Sequence, residues 1–245
     1  MENKQNIIIG RKPVLEALKS DAGIIKIYFG PGQKGEVIQE IKSEAKKKKI
    51  SFAEVPHQKI ESFSKGKIHQ GIVALLSELK FFSLEEILRK CKSKQFPLLL
   101  ILEQIQDTHN LGAILRTAEA AGVDGVLITK HNSAPVNETV EKTSAGATSH
   151  LMIHQTANVS NTIKTLKQNG FWVVGSTLED SQLYTSVDYK SPLALILSNE
   201  EKGIKRLTAE NCDFLVNIPM KGKIQSLNVS VAAGIIMYEI SRQRG

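Results

Sequence analysis

The sequence predicts an α/β protein: a C-terminal, mostly parallel sheet with helices on both faces, preceded by a smaller α/β domain. Two observations lead to this prediction. Almost wholly apolar runs, typical of strands buried on both faces, recur along the second half of the chain. Segments with the periodicity of helices lie between them, and this alternation is typical of parallel sheets. The length of 245 residues allows one large domain or two modest ones.

The first domain is predicted at residues 1–78. Its pattern indicates a short helix at 14–19, a strand at 24–29, an amphipathic helix at 36–49 and strands at 50–55 and 71–76. Pro13 suits the first turn of a helix, and Gly30-Pro31-Gly32 ends the first of these strands. Residues 79–95 are predicted to be a linker that contains a short helix, because Ser83 and Glu86 have the spacing of a capping box.

The second domain is predicted at residues 96–245. Strands are expected at 97–102, 125–129, 171–176, 193–197 and 214–218, with helices at 111–121, 160–169 and 228–242. Gly122 and Gly170 follow the first two helices, where glycine often ends a helix. Ligands of such sheets bind at the carboxyl ends of the strands, so the loops after Leu102, Leu197 and Ile218 are candidate sites.

Positive charge is concentrated at the start of the chain. Residues 1–80 have 15 Lys and Arg against 9 Asp and Glu, and residues 81–95 have 4 against 2. The remaining residues have 13 against 14. This asymmetry favours a nucleic acid as the partner of the first part, and a solvated basic surface is the alternative. For the lysines at 46–49, the two alternatives are phosphate contact and a solvated helix end.

Several classes of protein are excluded by what the sequence lacks. Two cysteines cannot form a disulfide scaffold or a multi-cysteine metal site, and no metal is expected. The phosphate-binding loop of ATPases and the dinucleotide-binding glycine pattern are both absent. The longest apolar run, at 96–102, is far shorter than the ~20 residues needed to cross a bilayer. The sequence therefore predicts a cytoplasmic protein without a membrane partner.

Polar clusters follow three of the predicted strands. The first, at 107–117, contains Asn110 as a candidate N-cap and Arg116 on a face of small residues, which indicates either a phosphate or carboxylate contact or a surface arginine. The second, at 197–203, has a carboxylate pair that is either a general base or part of a polar loop. In the third, at 218–234, Ser226 or Asn228 is expected to cap a helix of small residues.

Together these clusters resemble the three motifs of the SpoU family of RNA ribose 2′-O-methyltransferases, within the trefoil-knot superfamily. The matching segments are Asn110–Thr117, Ser198–Gly203 and Ile218–Gly234. Residues 8–14 and 69–74 are similar to the substrate-binding domain of 23S rRNA guanosine methyltransferases of the RlmB type. Position 198 is Ser where the family usually has Gly, and this serine is expected to narrow the cofactor cleft or shift its backbone.

The resemblance implies a deep C-terminal trefoil knot, a homodimer and S-adenosylmethionine as cofactor. The implied reaction is methylation of the ribose 2′-OH of a guanosine in 23S rRNA. Two alternatives stay open: a tRNA ribose 2′-O-methyltransferase, and a non-catalytic RNA-binding or ribosome-assembly protein with a degenerate cofactor site.

The resemblance and the charge pattern together give three sets of candidate residues. The candidate catalytic residues are Asn110, Arg116, Glu200, Ser226 and Asn228. The candidate cofactor-binding residues are Thr177, Leu197, Ser198, Asn199, Gly203, Ile218, Met220 and Leu227. The candidate RNA-binding residues are Arg11, Lys12, Lys46, Lys47, Lys48 and Lys49.

Overall fold

A computed structural model describes residues 7–19, 23–64, 66, 68–76, 81–199, 203–223 and 225–245. The chain divides into two compact units. The first comprises Met1–Leu79 with Pro135–Val140, and the second comprises Lys80–Ala134 with Glu141–Gly245. No helix among the described residues is long and apolar enough to span a membrane.

The first unit is built on a four-stranded sheet. Its strands are β1 (Ile7–Ile9), β2 (Ile24–Phe29), β3 (Ser51–Glu54) and β4 (Ile72–Leu76), in the order β1-β4-β2-β3. Its helices are α1 (Arg11–Lys19), α2 (Glu36–Lys47) and α3 (His57–Ser64). Strand β4 is antiparallel to β1 and β2, whereas β3 is parallel to β2. Apolar side chains of α1 and α2 pack with those of β2 and β4 to form the core.

The sequence predicted most of the first unit, and the structure adds two elements. The strands predicted at 24–29, 50–55 and 71–76 are confirmed as β2, β3 and β4, and the helix predicted at 36–49 is confirmed as α2. Helix α1 begins at Arg11, three residues before the predicted start, so Pro13 lies in its first turn. β1 and α3 were not predicted, because a three-residue strand and an eight-residue helix give little periodicity and β1 is stabilised by pairing with β4.

The second unit contains a parallel sheet, of which seven strands lie in the described residues. They are β5 (Leu98–Glu103), β6 (Gly125–Thr129), β7 (Ile153–Thr156), β8 (Trp172–Ser176), β9 (Gln182–Leu183), β10 (Leu193–Ser198) and β11 (Phe214–Asn217). Their order is β7-β6-β5-β10-β8-β11-β9, and each pair is parallel. The α/β fold with a parallel sheet is therefore confirmed. The unpredicted strands, β7 and β9, lie at the two ends of the sheet and lack a long apolar run.

Helices cover both faces of this sheet. The helices from residue 80 onwards are α4 (Leu84–Cys91), α5 (Thr108–Ala120), α6 (Glu138–Thr143), α7 (Val159–Gln168), α8 (Arg206–Glu210) and α9 (Val229–Arg244), of which α6 begins in the segment Pro135–Val140 of the first unit. The buried side chains of α4 and α7 share a core cluster with one face of β5, β8 and β10. Helix α9 packs against β10 and α5, and its buried residues lie outside that cluster. The trefoil knot stays a prediction.

Two predicted helix caps have different outcomes. The capping box of α4 is confirmed, since the Ser83 and Glu86 side chains each accept the backbone N–H of the other residue. Asn110 as the N-cap of α5 is wrong: the helix begins at Thr108, and the Asp107 side chain accepts the N–H of Asn110. Aspartate and asparagine cap helices about equally well, and Asp107 is the residue directly before the helix.

Candidate functional site

A cavity of about 290 Å³ lies at the carboxyl ends of β8, β10 and β11 in the second unit. Its lining residues are Ser176, Thr177, Leu178, Glu179, Leu197, Ser198, Asn199, Gly203, Ile204, Asn217, Ile218, Met220, Ser226, Leu227, Val229 and Ala232. Three loops that are distant in sequence meet here because parallel strands end at the same edge of the sheet. The volume is near the lower end of the range for small-molecule sites.

The structure brings the eight candidate cofactor-binding residues together around this cavity, and Ser226 with them. Seven further lining residues escaped the sequence analysis: Ser176, Leu178, Glu179, Ile204, Asn217, Val229 and Ala232. Ser176, Leu178 and Glu179 directly flank Thr177, so the end of the predicted strand at 171–176 was the signal for them. Glu200, a candidate catalytic residue, lies outside the described residues.

The lining has the chemical character that S-adenosylmethionine requires. Leu197, Ile218 and Leu227 give the lining an apolar part that suits an adenine ring, and its serine, threonine and asparagine residues have hydroxyl and amide groups that can bind ribose hydroxyls. Among the described lining residues, Glu179 is the only one with an ionisable side chain. A carboxylate suits a ligand with a sulfonium, an ammonium and a single carboxylate, which is cationic overall.

Hydrogen bonds close the loop that follows β10. The Ser198 hydroxyl donates to the backbone carbonyl of Gly203 at 2.6 Å, and the Gly203 N–H donates to the carbonyl of Asn199 at 2.9 Å. Gly203 has a φ of 61°, a left-handed conformation that glycine adopts without strain. Ile204 packs close to Gly175 of β8, because a Cβ atom at Gly175 would be 2.8 Å from its Cδ1. Ser198, Gly203 and Ile204 therefore have defined contacts where they line the cavity.

A buried carboxylate holds the chain beyond this loop. Glu103, which is 1% exposed, ends β5 and pairs in register with Ser198 of β10. Its side chain accepts hydrogen bonds from the Thr208 hydroxyl at 3.1 Å and from the Lys205 N–H at 3.4 Å. The Lys205 ammonium lies 3.8 Å from the same carboxylate. Glu103 thus connects the edge of the sheet to the start of α8.

The first and third motifs are joined by a pair of asparagines. The Asn228 side-chain amide donates to the side-chain oxygen of Asn110 at 2.9 Å. The Asn228 side-chain oxygen accepts the N–H and the hydroxyl of Ser230 at 2.9 and 2.6 Å, which confirms Asn228 as the cap of α9. Two of the candidate catalytic residues are therefore in direct contact.

Arg116 is exposed on α5 and does not line the cavity. Six residues of α-helix turn the chain by about 600°, so Arg116 and Asn110 point about 120° apart. Within the described part of the chain, the guanidinium has no hydrogen bond or ion pair. It is therefore available to an external anion.

The candidate RNA-binding residues of the first unit have different surroundings. The Arg11 guanidinium donates to the Gln33 side chain at 2.7 Å and to the Gln70 carbonyl at 3.2 Å, so it is engaged within its own unit. Lys47 pairs with Glu44, and the Lys48 ammonium donates to the Leu18 carbonyl. Lys12, Lys46 and Lys49 are exposed.

A group of metal-binding side chains, His57, Glu61 and His69, also lies in the first unit. Their ligand atoms are within 4.8 Å of one another. However, Nδ1 of His69 accepts a hydrogen bond from the Gly71 N–H at 3.0 Å. That bond leaves the proton of a neutral ring on Nε2, so neither nitrogen offers a free lone pair to a metal.

Neither cysteine has the surroundings of a nucleophile. Burial raises the pKa of the Cys91 thiol to about 11 and that of the Cys212 thiol to about 12. Both thiols are protonated at neutral pH, and the thiolate is the reactive form. Cys91 is a small apolar side chain of the core, and the partly buried Cys212 packs against the same core cluster.

Two families match most of the chain. Residues 97–238 match the SpoU rRNA Methylase family, and residues 7–82 match the family described as RNA 2′-O ribose methyltransferase substrate binding. YacO of Bacillus subtilis, which carries the name of a TrmH family tRNA/rRNA methyltransferase, is 37% identical over 100% of this chain and 98% of its own length. A Staphylococcus saprophyticus protein of the same description is 41% identical over 97% of this chain and 96% of its own length.

Solved structures agree with this relationship. The AdoMet-bound rRNA methyltransferase of Sinorhizobium meliloti has 25% identity and a TM-score of 0.63, over 96% of this chain and 86% of that one. The SpoU methyltransferase AviRb of Streptomyces viridochromogenes, with 20% identity and a TM-score of 0.64 over 98% of this chain and 90% of that one, has the same fold. The chain therefore belongs to the SpoU (TrmH) family of RNA ribose 2′-O-methyltransferases, enzymes that use S-adenosylmethionine.

Proposed function

We propose that the protein methylates the ribose 2′-OH of a guanosine in 23S rRNA. The observation that carries the proposal is the convergence of all eight candidate cofactor-binding residues on one cavity, in a chain whose basic first unit belongs to a substrate-binding family. The name of the Sinorhizobium meliloti relative supports rRNA as the substrate class. Positions 1–80 contain 15 Lys and Arg against 9 Asp and Glu, and this positive excess agrees with a polyanion as the partner.

The cavity residues divide between two tasks in this proposal. Leu197, Ile218, Met220 and Leu227 hold the adenine of the cofactor, and Glu179 lies at the same cavity as a counter-charge. S-adenosylmethionine supplies a methyl group activated by a positively charged sulfonium. Ser226, at the rim, holds the nucleotide whose ribose is methylated. Alignment of the two reactants in this way lowers a large part of the barrier.

Arg116 and the asparagine pair act on the RNA side of the site. The Arg116 guanidinium clamps the phosphate next to the target ribose and stabilises the negative charge that develops on the 2′-oxygen. It does not serve as the base, because a guanidinium holds its proton up to a pKa above ~12. The proton leaves through the phosphate, Glu200 or water. Asn228 fixes Asn110, which orients the ribose.

We also propose that the protein is a homodimer. Val231 and Tyr238 of α9 are 50% and 54% exposed and lie seven residues apart, on one face of the helix. A second copy would cover these apolar side chains. Sedimentation equilibrium should give twice the chain mass, and Tyr238→Glu should shift the protein towards the monomer.

A tRNA is the second candidate substrate, because the curated relatives carry the combined description tRNA/rRNA. The deciding experiment incubates the full-length protein with labelled S-adenosylmethionine and either unmodified 23S rRNA or unmodified tRNA, followed by nucleoside analysis. We expect 2′-O-methylguanosine from 23S rRNA alone. A labelled base would contradict ribose methylation, and label in tRNA alone would replace rRNA as the substrate. An RNA with a 2′-deoxy target should accept no methyl group.

A further inference from the structure

We infer that the Ser198 hydroxyl is a positioning group for the cofactor pocket: it holds the carbonyl of Gly203, and thereby the part of the pocket wall that Ser198 and Gly203 form, in the conformation that binds S-adenosylmethionine. The inference concerns cofactor binding and does not depend on which RNA is methylated. It opposes the sequence-based expectation, in which a serine at this position narrows the cleft or shifts its backbone.

The position of Ser198 supports this role. It is the last residue of β10, is 9% exposed and lines the cavity together with Gly203. Its hydroxyl points to the Gly203 carbonyl at 2.6 Å and bridges the two ends of the loop. The side chain is therefore used to join Ser198 to Gly203, and both residues line the pocket.

Other contacts fix the residues that follow Gly203, but among the hydrogen bonds of the described residues only the Ser198 hydroxyl holds the Gly203 carbonyl. Glu103 holds Lys205 and Thr208, which follow the loop, and Ile204 packs on Gly175 of the sheet. The chain that follows the loop is thus fixed without the serine. Removal of the hydroxyl deprives the Gly203 carbonyl of its donor and lets Gly203, with its unrestricted backbone, rotate away from the pocket.

The test compares Ser198→Ala with Ser144→Ala. Ser144 is a matched control, because it is 1% exposed, donates to the Glu141 carbonyl at 3.0 Å and lies outside the cavity. Both variants lose one buried hydrogen bond and should have similar losses in melting temperature. Titration calorimetry should show a roughly threefold to tenfold weaker affinity for S-adenosylmethionine in Ser198→Ala only.

Two more variants separate the hydroxyl from the size of the side chain. Ser198→Gly should weaken the affinity at least as much as Ser198→Ala, whereas Ser198→Thr, which keeps a hydroxyl, should bind within about twofold of wild type. Wild-type affinity in both the Ala and the Gly variants would overturn the inference, as would an equal loss in Ser144→Ala. A Thr variant as weak as the Ala variant would also overturn it. Because calorimetry needs no RNA, failure of the proposed substrate would leave this result intact.

Discussion

The Asn228 side chain spans 118 positions of the chain to donate a 2.9 Å hydrogen bond to the side-chain oxygen of Asn110. Its own side-chain oxygen accepts the N–H of Ser230 and caps α9. One side chain therefore has two separable functions. Its oxygen starts the helix, and its nitrogen ties the third motif of the family to the first.

Asn228→Asp should separate these functions. The aspartate keeps an oxygen for the cap but loses the amide donor, so the side-chain oxygen of Asn110 loses the donor that Asn228 supplies. We expect a nearly unchanged melting temperature together with a clear loss of methyl transfer. Asn228→Ala is the companion variant, and it should also lower the free energy of unfolding by about 1 kcal/mol through loss of the cap. Full activity in Asn228→Asp would show that the contact with Asn110 is dispensable.

Arg116→Ala should lower kcat/KM by roughly 100-fold or more, because the charge that develops on the 2′-oxygen loses its stabilising cation. Cofactor affinity should hardly change, since Arg116 does not line the cavity. Calorimetry with S-adenosylmethionine and a methyl-transfer assay measure the two quantities. Arg89→Ala, at another exposed helical arginine, is the control. Loss of cofactor affinity in Arg116→Ala would contradict this prediction, because it would show that the guanidinium contributes to cofactor binding.

Glu103→Gln should lower the free energy of unfolding by about 1–3 kcal/mol. The variant replaces a buried carboxylate, which accepts from Thr208 and Lys205, by an amide that brings an N–H against these donors. Urea unfolding measures the difference, with Glu54→Gln as the exposed control. An unchanged stability would mean that the carboxylate does not hold the start of α8.

Acid should weaken the packing of α9 through Glu239. Hydrogen bonds from Arg242 and Gln243 lower the pKa of this carboxyl from its ordinary value of 4.5 to about 2. A carboxyl whose pKa is lower in the folded state stabilises the protein above pH 4.5, and this contribution is lost as the pH falls towards 2. Urea unfolding at pH 7, 5 and 3 should therefore show a smaller decline in Glu239→Gln than in wild type. Identical declines would rule out this carboxyl as their source.

Neutralising Lys12 and Lys46 should weaken RNA binding and reduce its dependence on salt. Both lysines are exposed in the first unit. Each lost phosphate contact should lower the slope of log affinity against log salt by roughly 0.7–0.9. The double variant Lys12→Gln/Lys46→Gln is compared with Lys164→Gln, an exposed lysine of the second unit, by filter binding at several salt concentrations. Equal slopes would show that neither lysine contacts a phosphate and that both belong to a solvated surface.

The local sequence pattern was sufficient to predict the strands that bury the most apolar area. The five strands predicted in the second domain, including β5 and β10, were visible as apolar runs, because strands at the centre of a sheet are covered on both faces. The cap at Asn228 followed from the residue type. By contrast, β9 has two exposed residues and owes its existence to pairing with β11, so its own sequence carries no signal.

The candidate site likewise has features that the sequence predicted and features that only the tertiary structure shows. The sequence by itself determined the family and nine of the 16 described residues that line the cavity, since its three motifs are contiguous strings such as Ile218–Gly234. Only the tertiary structure decided that Asp107 caps α5, that Asn228 contacts Asn110, and that the Ser198 hydroxyl bonds to Gly203. These outcomes depend on where a side chain points and which backbone group it meets. Distance along the chain does not encode either property, because the strand order brings remote loops to one edge of the sheet.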